Sequence, residues 1–385
     1  MMKLIITALT LCVVGLVHLC SAQMACNTIV SGTINSDVTC TGDCVLDAAT
    51  VNGNVLCSTG TLLAKGGSSI TGNIQADGSV TEIKLNDVTV SGAVEIKNAN
   101  SLTDVIIQPS ATLNSVVIDD TPASIEVSGT LGTLAVTNGG DLVVDDLTTT
   151  GGITVSGGDG TIEICGSSIG GVLLVTGENN GEINIDTNIV NCDATDLVGG
   201  VMITLGTSTV TIRGANIESG DIGISDNTGA ITLDQLQVSD MLLQRNSGTL
   251  SINDVTTNSD STIIEHTGDI LLSNLVIVGD TRIKDVDGSV SLSNSNLSLE
   301  DISITLVTED VTVDKNIDLN LTVEEVEGAV TISDNTITVA SVNKNTGGVD
   351  LSGNTIITLS CSDNAPAPTG SSNTITFPDG QCATL

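Results

Sequence analysis

The stretches Gly248-Thr249-Leu250-Ser251-Ile252-Asn253, Gly268-Asp269-Ile270-Leu271-Leu272-Ser273 and Gly288-Ser289-Val290-Ser291-Leu292-Ser293 repeat one pattern at a fixed interval. Each opens on a glycine and sets two apolar residues with a single residue between them. The beat extends on both sides in near-equal steps, through Ile231/Leu233 before and Val311/Val313, Val330/Ile332 and Val349/Leu351 after. Gly229 and Gly328 hold the same glycine position. A fixed period over hundreds of residues marks a solenoid, whose turns bury their apolar side against the turns above and below. The first half carries the beat in Val55/Cys57, Val94/Ile96, Val116/Ile118, Leu134/Val136, Ile153/Val155 and Val201/Ile203, read as one face of the same array.

Apolar spacing of two means strand, with one side chain inward and the next outward. Within a turn more such segments follow: Ile125/Val127 and Leu131, Leu142/Val144 and Leu147, Ile162/Ile164 and Ile169. Abundant Val, Ile and Thr and the absence of capping patterns argue against helix. The expected fold is all-β, a single-stranded parallel β-helix (β-solenoid) with about 20-residue turns and disulfide-bonded ends. Asp226-Asn227, Asn253-Asp254, Ser273-Asn274, Ser293-Asn294 and Asp334-Asn335 suit its corners, because Asn and Asp tolerate left-handed backbone. Ordinary turn chemistry is the first reading of these asparagines, and bonding from turn to turn the second.

Residues 1–22 read as a secretory signal, with Lys3, an apolar run from Leu4 to Leu16 and the small Cys20-Ser21-Ala22. Eight cysteines follow: Cys26, Cys40, Cys44, Cys57, Cys165, Cys192, Cys361 and Cys382. An even number in a secreted chain points to disulfides. Their clustering at the two ends suggests Cys361–Cys382, Cys165–Cys192, and Cys26, Cys40, Cys44 and Cys57 paired among themselves. The chain divides into a cysteine-rich N-terminal cap at 23–60, solenoid repeats at 61–360 and a C-terminal cap at 361–385. The step from Gly170 to Gly199 exceeds one turn by about half, which places an insertion near 188–197.

The formal charge is −36, from 46 acidic and 10 basic residues. Nucleic acid and anionic membranes both need a basic footprint, so neither is an expected partner. Divalent cations, minerals and other surfaces are. The chain has no Trp or Tyr and a single aromatic, Phe377, and so lacks the rings that stack on sugars or bases.

No catalytic group is expected. The basic residues Lys65, Lys84, Lys97, Arg213, Arg245, Arg282, Lys284, Lys315 and Lys344 are scattered. His266 beside Glu265 offers a general base only in isolation, and reads as an exposed residue without a role. Asp119-Asp120, Asp145-Asp146, Glu324-Glu325 and Gly157-Gly158-Asp159-Gly160 suggest diffuse, weak calcium binding and no formed metal or cofactor site. Thr207/Thr209, Thr336/Thr338 and Thr374/Thr376 do not fall on successive turns. The outward positions Thr232, Ser251, Leu271, Ser291, Thr312, Thr331 and Asp350 make a mixed ladder. Asn296-Leu297-Ser298 and Asn320-Leu321-Thr322 are glycosylation acceptors, expected on one side of the rod.

The glycine-apolar beat resembles extracellular β-solenoid repeat proteins, and the acidic Gly-, Ser-, Thr-, Val- and Asp-rich composition resembles matrix, mineralised-tissue or adhesive components. That resemblance implies a secreted, non-enzymatic structural rod presenting Ser, Thr, Asp and Asn to surfaces, cations or its own copies. The alternatives are a carbohydrate-active β-helix enzyme and an ice- or crystal-binding protein.

Overall fold

In the computed structural model the chain is described over residues 23–186, 195–217, 219–297, 301–317 and 319–382. It winds into a parallel β-solenoid of about 17 turns, and the described residues contain strands and no helix. At a strand spacing of about 4.8 Å the rod is about 80 Å long. Each turn lays down three short strands that stack in three faces. One turn illustrates this: Met241–Gln244 lies in the first face, and Leu250–Thr257 covers the second and bends into the third. Every strand pairs in parallel with the equivalent segment one turn away, as in Met241↔Ser261, Leu250↔Ile270 and Thr256↔Val276.

The period-2 pattern has the expected result. Inward residues are buried and those between them face solvent, as in the alternation of Val311–Asp314. Ile231, Leu250, Ile270, Val290, Val311, Val330 and Val349 stack in one interior column on the second face. The corresponding pairs of the first half belong elsewhere. Val55, Val94, Val116, Leu134, Ile153 and Val201 line the first face, in register with Ile222 and Met241. The second face of that half is carried by Ile125/Val127, Leu142/Val144 and Ile162/Ile164. Pairs on different faces have the same chemistry, so the beat alone does not tell them apart.

The corners are left-handed. Asp226, Asp254, Asn274, Asn294 and Asp334 each have φ between 52° and 58°. Glu265, Leu306, Lys315 and Glu325 adopt the same conformation, although their side chains give no local reason for it. At the glycine corner a Cβ on Gly268 would stand 2.5 Å from the Gly248 carbonyl oxygen, so successive turns approach too closely there for a side chain.

Turn-to-turn asparagine bonding is present, beyond ordinary turn chemistry. The backbone N–H groups of Asn316, Asn335 and Asn354 donate to Oδ1 of Asn335, Asn354 and Asn373 at 2.8, 3.0 and 3.0 Å. Their side-chain amides donate to interior carbonyls, Asn335 to Val313 and Asn354 to Ile332. A second ladder links Val326, Asn345, Asn364 and Gln381 at the corner after the first face. Buried amides persist inside a protein only when satisfied, and here each one closes its neighbour's bonds.

Cys26–Cys44, Cys40–Cys57 and Cys361–Cys382 are disulfides spanning 18, 17 and 21 residues, about one turn each. Closing a loop of that size contributes about 3 kcal/mol by the chain-entropy argument. Cys165 is also disulfide-bonded; Cys192, its expected partner, lies outside the described residues, as do the signal at 1–22 and most of the insertion. The chain leaves the second face at Asp186 and rejoins the third at Asp196–Leu197, which pair with Ser168 and Ile169 as regular rungs. The cysteine-rich N-terminal stretch is itself coiled, with Cys26, Cys40 and Cys57 in successive register on the first face.

A candidate contact face

The third face of the N-terminal half brings together residues that lie far apart in sequence. Its outward positions are Thr33, Thr50, Ser69, Thr89, Thr112, Thr130, Thr148 and Ser168, paired rung to rung without interruption. Each rung reads Thr or Ser, an inward residue, then a small or amide residue: Thr33-Ile34-Asn35, Thr50-Val51-Asn52, Ser69-Ile70-Thr71, Thr89-Val90-Ser91, Thr112-Leu113-Asn114, Thr130-Leu131-Gly132, Thr148-Thr149-Thr150 and Ser168-Ile169-Gly170. The inward residues are buried and hold the rungs in place. Register irregularities near the ladder fall at the corners, between Val30 and Gly32, Leu113 and Ser115, and Val127 and Gly129. The result is a hydroxyl column about 34 Å long at the strand spacing, with a second column beside it that is polar except at Gly132 and Gly170.

Neither column carries a charge, in a chain with 46 acidic residues. The carboxylates of this half project from the other faces, as Glu95 does on the first and Glu126 and Glu163 on the second, or stand at the corner before the third face, as Asp87 and Asp146 do. Threonine is β-branched and restricted at χ1, so its hydroxyl and methyl have few orientations open to them. The ladder ends at Asp196 and continues as Asn216, Gln237, Thr256, Val276, Asn296 and Ile317. Three threonines return at the far end, where Thr336, Thr355 and Thr374 are consecutive rungs. Reading Thr-x-Thr pairs hid that last run, because Thr355 is followed by Ile356-Ile357.

The sequence-nominated residues are dispersed. Thr232, Ser251, Leu271, Ser291, Thr312, Thr331 and Asp350 do stack on the second face, and as a mixed ladder. His266 is buried at 2% exposure, not exposed, and neither ring nitrogen has a hydrogen-bond partner. Burial pushes its pKa below 6.5, while the nearby Gly248 backbone and the Asp269 carboxylate pull the other way. The neutral ring faces the interior and Glu265 faces solvent, so the two do not form an acid–base pair.

Eight basic residues sit in ion pairs: Lys65 with Asp47, Lys84 with Glu82, Lys97 with Glu95, Arg213 with Asp186 and Asp234, Arg245 with Asp226, Lys284 with Asp285, Lys315 with Asp314, and Lys344 with Glu324 and Glu325. The bidentate Arg245 bond holds the Asp226 carboxyl below its usual range. Most of these pairs are exposed and add little to stability. Asp159 accepts from the Asn180 amide and Asp141 from the Thr161 backbone. Among the described residues no three His, Cys, Asp or Glu side chains converge as metal ligands.

The two glycosylation acceptors fall on different faces. Asn296 is an exposed third-face rung between Val276 and Ile317. Asn320 opens the first face, half-buried, and donates to Asp301 at 3.0 Å. Their separation along the chain is one turn plus the step around a corner.

Compared with models of known families, with curated proteins and with solved structures, the chain matches none. No helix among the described residues is long and apolar enough to cross a membrane.

Proposed function

We propose that this protein is a secreted structural rod of an extracellular material, which seats its uncharged Thr/Ser face against an ordered surface. The observation that carries this reading is the eight-rung ladder from Thr33 to Ser168. A stiff parallel stack supplies the geometry, since its rungs cannot shift register without breaking the main-chain ladder and the interior columns together. The carboxylates outside this ladder, many at strand ends and corners, keep the rod soluble and hold copies apart by like charge. The disulfides and the apolar leader at 1–22 support a secreted location.

The test is recovery. The protein is expected in the insoluble, surface-bound fraction of the secreted material, and Thr112→Lys is expected to release it. Retention through an uncharged face is insensitive to salt, whereas retention through the carboxylates falls steeply as ionic strength rises. Recovery only as a soluble secretion that depolymerises a polysaccharide would overturn the reading in favour of an enzyme.

A further inference from the structure

We propose that the surface recognised by the Thr33–Ser168 ladder is ice. This rests on the reading of the third face as the contact face and names what it contacts. The chemistry of the ladder separates the surfaces an extracellular rod meets. An ionic mineral is gripped by carboxylates, because calcium is a hard cation that takes oxygen ligands in numbers. This face has none, although the chain carries 46 acidic residues. A crystalline polysaccharide is gripped by aromatic platforms. The chain has no Trp or Tyr, and Phe377 lies at the opposite end of the rod.

Ice needs neither. It is an uncharged lattice of hydrogen-bond donors and acceptors, and a hydroxyl both donates and accepts. The rungs repeat at about 4.8 Å, close to the oxygen repeat along a lattice row. The restricted χ1 of threonine limits the orientations of its hydroxyl and methyl, which favours one arrangement of water between the rungs at each turn. A charge in either column would orient its own hydration shell and break that arrangement. The ladder stops at Asp196, the first carboxylate in the outward column.

The experiment uses the full disulfide-bonded chain, with thermal hysteresis and ice recrystallisation as readouts. The wild type is expected to arrest crystal growth within a hysteresis gap. Thr112→Lys, mid-ladder, is expected to lose most of that gap. Thr312→Lys, on the mixed second face, is expected to keep it. Thermal melts by circular dichroism check that both variants stay folded, and Thr89→Lys serves if Thr112→Lys does not. Absence of hysteresis in the wild type, or equal hysteresis in a folded Thr112→Lys or Thr89→Lys, overturns the proposal. Retention on calcium carbonate and on crystalline cellulose, measured on the same samples, separates the two claims. Retention there that Thr112→Lys abolishes, without ice activity, keeps the contact face and sinks ice. Binding that Thr112→Lys leaves unchanged on every surface sinks both.

Discussion

The two halves of the rod use one corner of the coil in opposite ways. In the N-terminal half the column just inside the third face is mostly apolar, with Ala49, Val88, Ala111 and Leu147, broken by Ser68 and Ser167, which accept from the Ala49 and Leu147 N–H groups; most polar groups stand outside as the Thr/Ser ladder. Ala215, Leu236, Val255 and Leu275 continue the apolar column, and from there it becomes Ser295, Asn316, Asn335 and Asn354, while the outward positions mix Val276, Asn296, Ile317 and Thr336. A polar group outside a coil is hydrated whether the chain is folded or not, and is free to serve recognition. A polar group inside must be satisfied by the turns next to it, and so serves stability. The same backbone therefore carries a contact face in one half and an internal hydrogen-bond spine in the other.

The sharpest way to break this contrast is to delete one polar group on each side of the wall. Asn335→Ala removes the acceptor for the Asn316 N–H and the donor to the Val313 and Ser333 carbonyls. Leaving buried groups unpaired is expected to cost about 2–3 kcal/mol. Thr112→Ala removes a hydrated hydroxyl and is expected to stay within about 0.5 kcal/mol. Chemical denaturation read with hydrogen exchange on Asn316 checks both, since exchange reports whether the loss is confined to neighbouring turns. Equal costs at the two sites would remove the distinction between spine and face.

Much of this architecture was legible before any coordinates. The Gly-apolar beat identified strands, solenoid and turn length, and cysteine position identified Cys361–Cys382. Asp and Asn marked five of the left-handed corners. The face assignment was not legible, because Val116/Ile118 on the first face and Val290/Leu292 on the second have the same chemistry. The Thr/Ser ladder was hidden by uneven steps: short from Thr33 to Thr50, long from Thr89 to Thr112 and short again from Thr112 to Thr130. Corner lengths vary while rungs stay aligned, so a constant-period search misses them. The signal that finds them is local, a Thr or Ser before one inward residue and a small or amide residue after it. The burial of His266 was legible only by aligning it one turn on, where Val286, Val307 and Val326 hold the same inward position; read beside Glu265 alone, a histidine looks like a surface residue.

His266 tests the spine at its weakest point. It stands in the interior column that holds Asn246 before it and Val286, Val307, Val326 and Asn345 after it. Its folded-state pKa is lowered by burial, so the unfolded chain binds the proton more readily. Stability is therefore full above about pH 6.5 and falls as pH drops towards the folded pKa, by up to about 1.4 kcal/mol per pH unit. Asp269, the charged neighbour across the corner, has its own pKa held below 3.8 by the Ser289 bonds and stays ionised through that window. His266→Asn is expected to remove this loss between pH 7.5 and 5.5, because Asn at this position can accept from the Asn246 backbone as Asn246 accepts from Asn227. Denaturation midpoints at the two pH values check it, and an identical pH dependence in the variant would refute it.

A small gain, not a loss, is expected at Leu306. The left-handed corner column runs through Asp226, Arg245, Glu265, Asp285, Leu306, Glu325 and Lys344, and every member but Leu306 is polar. Leu306 has φ 57° and an exposed side chain, so burial does not offset the backbone strain. A left-handed residue with a Cβ costs about 1–2 kcal/mol, and glycine avoids that while losing more chain entropy on folding. The balance for Leu306→Gly is a gain of about 0.5–1 kcal/mol, read as a higher denaturation midpoint. The same substitution at Val307, the inward neighbour on the buried column, should cost several-fold more than Leu306→Gly gains. The pair separates a position that serves only the bend from one that serves the core. A loss at Leu306 comparable to that at Val307 would mean that this corner is held by side-chain contact and not by backbone conformation.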